Sequence, residues 1–250
     1  MPYPAHVSDA AYCYDGSYAG FLCCIFESYT RREIPSAVLG PAEGQITLFG
    51  TEAIATDPTH ARRVANGLTR LGPMVRVMTG FLSTEEEKDL ILLRFARRCF
   101  DEGPRAVQML GDPDVHAAFV LERNVNNEVC RFIEFIRFEE KDGMLGSVIH
   151  PKNNVLPLRG HFCSRLPDED FLIFDAAHGT ALLRQSGHVQ YLAMEHYEPA
   201  RDADELNWQA LWKRFFHALT IEERRNAKAQ MNHAPKRFWG GMVEMREPYI

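Results

Sequence analysis

Between residues 131 and 192 the apolar pattern changes period, and that change limits the fold more than any other feature of the chain. RFIEFIRFEEKDGMLGSVIHP, residues 131–151, places β-branched and aromatic residues on both sides of Lys141-Asp142-Gly143, which is a hairpin signal. FLIFDAAHGTALLRQSGHVQYL, residues 171–192, reads as two more strands joined around Gly179. A short helical piece, GHFCSRLPDED, lies between the two blocks. A mixed, largely antiparallel sheet of four or more strands is therefore expected in the C-terminal half.

The first half reads mainly as helix. AYCYD, residues 11–15, suggests a short strand, Gly16 a turn, and Ser17 the cap of a helix whose apolar face carries Phe21, Cys24, Ile25 and Ser28. Pro35 ends that region, Gly40-Pro41 marks a loop, and residues 46–57 are β-prone. Asp57-Pro58 begins a second helix, which Gly72 ends. Ser83 and Glu86 form a capping box ahead of a helix over residues 84–103, with its acids in the first turn. A further helix is expected over residues 113–129.

Helix returns at the end. Trp208, Leu211, Trp212, Phe215, Phe216 and Leu219 recur with helical spacing, a stripe expected to be buried against the sheet. Thr220 and Glu223 suggest a second capping box ahead of a helix at IEERRNAKAQMNH. The class is α+β: one domain over residues 1–250, divisible into a helical sub-lobe, 1–127, and a sub-lobe of sheet plus C-terminal helices, 128–250.

Charge is unevenly spread. The 250 residues carry a net charge of -6, yet residues 208–240 hold seven Lys/Arg against two acids, a balance of +5 that leaves -11 elsewhere. Such a basic stretch on an acidic body concerns partners more than fold. Phosphate neutralisation needs cations on one face, and single-strand binding adds aromatics for stacking. Arg224, Arg225, Lys228, Lys236, Arg237 and Trp239 are the candidates, with Phe238 and Trp239 also able to anchor the last helix in the core.

Classical chemistry is sparsely signalled. The six cysteines include no C-x-x-C pair, no metal site is called for, and no motif asks for a cofactor. The chain lacks G-x-S-x-G, H-E-x-x-H, G-x-G-x-x-G and the zinc-deaminase signature. Tyr14 and Asp15 precede a helix start, a place that can bind anions, but the spacing is not that of a P-loop. His150, His161, Asp175 and His178 fall at strand or helix ends, where acid–base groups can sit. No apolar run reaches membrane-span length and the N-terminus lacks a signal-peptide pattern, so a cytoplasmic location is expected.

Four blocks carry a resemblance: YCYDGSYAGFLCCIFESYTRREIP, IATDPTHARRVANGL, NVLPLRGHFCSRLPDEDFLIFD and LWKRFFHALTIEERRNAKAQMNHAPKRFW. Together they span nearly the whole chain, which resembles the bacterial DUF4130 family, described as DNA-metabolism or DNA-repair proteins. The resemblance implies a radical SAM protein as partner, and a link to uracil-DNA-glycosylase-like domains, to which some relatives are fused. It carries over no catalytic residue. One departure is Cys130, where many members have a histidine before the Arg-Phe expected to open the hairpin.

The leading expectation is an accessory protein of DNA repair or modification that binds single-stranded or damaged DNA beside a radical SAM partner. The alternatives are a base- or nucleotide-processing enzyme with a pocket near Tyr14, Asp15, His161 and Asp175, and a pure interaction module for the partner.

Overall fold

Capping atoms show where the sequence rules held. In this computed structural model, which describes residues 6–41, 50–155, 158–199 and 203–245, the chain forms two compact units, Met1–Asn126 and Asn127–Ile250.

In the first unit, β1 (His6–Val7) pairs in parallel with β3 (Glu33–Ile34). Strand β2 (Ala11–Cys13) is the centre of a parallel three-stranded sheet, between β4 (Ala37–Leu39) and β5 (Thr51–Ala53). Part of the β-prone stretch, residues 46–49, lies outside the described residues. Helix α1 (Tyr18–Thr30) follows β2 through Gly16, whose φ of 77° favours glycine. Ser17 caps it, its hydroxyl accepting from the Gly20 N–H at 2.9 Å. Helix α2 (Pro58–Leu71) starts as expected. Asp57 Oδ1 accepts from the Thr59 and His60 N–H groups, Pro58 opens the first turn, and Gly72 closes the helix at φ 97°.

Two features differ. Helix α3 (Met74–Phe81) follows Pro73 and was not legible as a separate element. Helix α4 (Lys88–Glu102) begins four residues later than residue 84. Ser83 Oγ accepts from the Glu85 N–H, at 3.2 Å, and so closes a turn. Lys88 reaches back to the Phe81 carbonyl at 2.6 Å, which folds residues 83–87 against the end of α3 in place of a first helical turn. The core here joins α1, α2 and α4 through Phe21, Ile25, Leu68, Leu92, Leu93 and Phe95. Each large side chain so buried contributes about 1.5–3 kcal/mol.

Helix α5 (Pro113–Phe135) contains the boundary between the units. Asp112 Oδ1 accepts from the Asp114 and Val115 N–H groups at its start. It outruns the expected 113–129 because Val125, Glu128, Phe132 and Phe135 continue a helical face. The expected first strand from residue 131 is thus helix to Phe135, and Cys130 with Arg131-Phe132 lies within α5, so that Arg131-Phe132 do not open the hairpin.

The hairpin itself forms around Asp142 (φ 51°) and Gly143 (φ 77°), joining β6 (Glu139–Lys141) to β7 (Met144–Ile149). Helix α6 (Leu158–Arg165) crosses to β8 (Asp170–Asp175), which pairs in parallel with β7. Strands β9 (Thr180–Gln185) and β10 (His188–Ala193) follow, antiparallel, giving the order β10-β9-β8-β7-β6. The expected two strands over 171–192 are therefore three. A second tight turn at Ser186-Gly187, φ 49° and 78°, makes the extra hairpin. The α+β class with a largely antiparallel C-terminal sheet holds.

Both faces of β8 are covered. Phe171 and Ile173 pack with Phe132, Phe162 and Phe238 on one face, while Leu172 and Phe174 pack near Tyr197 on the other. Gly146 lets the Tyr197 ring approach, since a Cβ there would collide with it. Helix α7 (Ala203–Leu219) and helix α8 (Ala227–His233) complete the unit. Among the described residues no helix is long and apolar enough to cross a membrane.

Candidate nucleic-acid interface

α7 is anchored to the rest of its unit at its start. Glu205 is buried and accepts from Arg137 Nη2 and Gln209 Nε2, both at 2.7 Å. Beyond that turn its apolar stripe faces solvent. Trp208, Leu211, Trp212, Phe215 and Leu219 are 43–66% exposed, so the expected packing on the sheet is overturned. The reason is that α5, α6 and the C-terminal tail fill one face of β8, and Tyr197 lies over the other. α7 packs instead on the 3-10 turn at Val243–Met245, with the Trp212 indole N–H donating to Glu244 Oε2 at 2.8 Å.

Cations flank this stripe. The chain leaves α7 through a 3-10 turn, Glu222–Arg224, and enters α8. The expected Thr220–Glu223 cap does not form. The Thr220 hydroxyl donates back to the Phe216 carbonyl, and Asn226 caps α8, accepting from the Ala229 N–H at 3.0 Å. Arg224 and Lys228 are exposed and have no carboxylate partner among the described residues. Arg225 pairs with Glu222 at 3.5 Å on an open surface, an interaction worth at most about 1 kcal/mol. A cleft of about 420 Å³ lies between the end of α7 and α8, with Phe216 and Leu219 in its wall and Arg224 and Arg225 beside it.

The tail HAPKRFW divides its roles. Phe238 is buried, edge-on to Phe132 with ring centres 5.0 Å apart. Trp239 is half-buried, its N–H held by the Ala234 carbonyl at 2.7 Å, and the Lys236 ammonium sits 5.7 Å from its ring centre. Arg237 is exposed over half of its side chain but ion-paired, with Nη1 3.0 Å from Oε1 of the buried Glu128. Glu128 also accepts from the Lys152 and Asn153 N–H groups and from Asn153 Nδ2. That carboxylate thereby joins α5, the loop after β7 and the tail. No local sequence signal announces it, because its partners are 24 to 109 residues away.

The remaining candidates fall in both units. Tyr14 and Asp15 belong to the first. The buried Tyr14 hydroxyl donates to Asp89 Oδ2 at 2.8 Å, and burial pushes the phenol's pKa up. Asp15 accepts from the Ser17 N–H, the Ser17 hydroxyl and the Thr56 hydroxyl, contacts that hold its carboxyl below the usual range. It braces the turn into α1 against the loop into α2. The Asp89 carboxyl is pushed up by burial, and its Oδ1 has no hydrogen-bond partner among the described residues.

His161 and Asp175 belong to the second unit. The His161 ring meets Phe162 edge-on, on α6. Asp175, buried at the end of β8, accepts from the Ala177 and His178 N–H groups and pairs with His178 Nδ1 at 2.7 Å. It closes the β8–β9 turn. Among the described residues no three His, Cys, Asp or Glu side chains are grouped to hold a metal.

No curated protein and no solved structure matches the chain. DUF4130, described as a domain of unknown function, matches residues 86–244. The match takes in α4, α5, the whole five-stranded sheet and the α7–α8 face, more than half of the sequence. The chain belongs to the DUF4130 family.

Proposed function

We propose that the protein is an accessory protein of DNA repair or DNA modification, whose C-terminal unit holds single-stranded or damaged DNA while a partner enzyme does the chemistry. The observation that carries this reading is the exposure of Trp208, Trp212 and Phe215 on the same stretch as Arg224 and Lys228. Stacking on an aromatic side chain is worth about 1–3 kcal/mol per base, and cations supply the phosphate contacts. α7 and α8 offer both, and the cleft between them is of nucleotide size. A radical SAM protein is the partner that the family resemblance implies. A cytoplasmic setting fits six free thiols, which a reducing compartment preserves.

The test is a titration of a labelled single-stranded oligonucleotide at several salt concentrations. The double substitution Arg224→Glu, Lys228→Glu should weaken binding and flatten the log–log salt slope by about 0.7 per lost phosphate contact. Unchanged affinity and slope would remove this face from the function.

A second reading has its own observation. Leu206, Leu211, Leu219 and Ile221 are also exposed, and a large apolar patch marks a protein-docking surface. In that version α7 docks the partner enzyme and the cations play no part. Association with the partner that survives nuclease treatment, without oligonucleotide binding by the isolated protein, would favour it.

A further inference from the structure

A cleft of about 790 Å³ in the first unit runs between α1 and α2. That volume lies in the range that takes small ligands. Its lining has a definite order. Arg63, Asn66 and Arg70 follow one another along one side of α2, spaced i, i+3 and i+7, so the two arginines stand about 10 Å apart along the axis. Phe26, Tyr29 and Phe100 contribute aromatic surface.

The cations are not neutralised. α2 contains Arg62, Arg63 and Arg70 and no acid, and neither Arg63 nor Arg70 has an ion pair among the described residues. The aromatic rings are fixed in place. Phe26 stacks on His60 with ring centres 3.8 Å apart. The Tyr29 hydroxyl has its one proton within reach of two acceptors, the Arg97 carbonyl at 3.2 Å and Asp101 Oδ1 at 3.1 Å, and the buried Arg97 guanidinium lies 4.1 Å from the Tyr29 ring centre. Gly67 lets the Phe100 ring touch the α2 backbone, since a Cβ there would stand 2.6 Å from Phe100 Cε1. An aromatic surface held in this way, with the Arg63 guanidinium 5.9 Å from the Phe26 ring centre and no ion pair on Arg63 or Arg70 among the described residues, needs little ordering when a ligand arrives.

We infer that this cleft binds a nucleotide that carries an anionic group on each side of its sugar, with the base against the aromatic surface and Arg63 and Arg70 each taking one phosphate. Guanidinium groups suit phosphate by their forked geometry, and Asn66, between them, offers both a donor and an acceptor to a base edge. This inference stands on different elements from the C-terminal interface and does not rest on it. The ligand is either a free nucleotide or one unit of a strand, since both present the same chemistry.

The experiment is a calorimetric titration of the full chain with thymidine 3′,5′-bisphosphate, thymidine 5′-monophosphate and thymidine. Affinity should fall in that order, by about tenfold for each phosphate removed, the scale of one charge-assisted contact. Arg63→Ala and Arg70→Ala should each cost a similar factor with the bisphosphate. Both side chains are exposed, so folding should survive, and an unchanged melting temperature checks it. Asn66→Trp fills the cleft from an exposed position and should abolish binding without touching either arginine. A 5′-phosphorylated oligothymidylate, titrated into the Arg224→Glu, Lys228→Glu background, separates the sources. Tighter binding of the strand than of the bisphosphate assigns a strand unit, and binding of the bisphosphate at equal or greater strength assigns a free nucleotide. Absence of binding by every probe, equal binding of thymidine and the bisphosphate, or binding indifferent to Arg63, Arg70 and Asn66 would overturn the inference.

Discussion

α4 and α7 are both amphipathic by sequence, yet only α4 is covered. Leu92, Leu93, Phe95, Ala96 and Cys99 of α4 are fully buried among α1, α2 and α3. Trp208, Leu211, Trp212, Phe215 and Leu219 of α7 stand in solvent. Periodicity establishes that a helix has an apolar face; what covers the face depends on which neighbours still have surface to offer. In the C-terminal unit other elements cover both faces of the central strand β8. An apolar stripe left over in this way is a resource for binding.

The largest expected effect belongs to the covered helix. Phe95→Ala should cost about 3–5 kcal/mol in urea unfolding, since it opens a cavity in the first unit's core. A cost below 1 kcal/mol would show that α4 is not packed as described. Next comes Glu128→Gln. The swap turns one carboxylate oxygen into an amide that cannot accept from the Lys152 or Asn153 N–H, and the expected loss is about 1–3 kcal/mol. No loss would mean that the tail is not held through this carboxylate.

Asp89→Asn should act in the other direction. Burial raises the folded-state pKa of Asp89, so the folded chain holds that proton more tightly than the unfolded chain. The associated stability is fully present below the ordinary aspartate pKa and is lost as pH rises through the raised value. Asparagine keeps an acceptor for the Tyr14 hydroxyl and never ionises. The variant should therefore be more stable than the parent at pH 7, with the difference narrowing toward acid; a less stable variant at pH 7 contradicts this. Phe215→Ser on the uncovered helix should change stability least, within about 0.5 kcal/mol. A cost like that of Phe95→Ala would show that the α7 stripe is buried after all.

Local chemistry was legible in the sequence, and distant coverage was not. Asp57-Pro58 and Gly72 bound α2 as read, Ser17 caps α1, and Asp142-Gly143 makes the hairpin, because each rule involves atoms within a few residues. Ser83 and Thr220 looked like caps and are not, since Lys88 and Asn226 satisfy those segments differently. The extension of α5 to Phe135 follows contacts with Phe238, more than a hundred residues away in sequence. At the candidate interface the cations were legible from composition. That Arg237 is paired with the buried Glu128, while the aromatic side chains on offer are those of α7 more than Trp239, required the fold.

The three tryptophans, Trp208, Trp212 and Trp239, all lie in the C-terminal unit, so tryptophan emission, excited selectively over tyrosine, reports on it alone. The most direct measurement is tryptophan fluorescence during titration with a single-stranded oligonucleotide. Quenching that salt reverses, that persists in Trp239→Phe and that disappears in the Trp208→Phe, Trp212→Phe double variant is the predicted result. Emission unmoved by the oligonucleotide, or quenching lost only with Trp239→Phe, would contradict a role for the exposed face of α7 in holding nucleic acid.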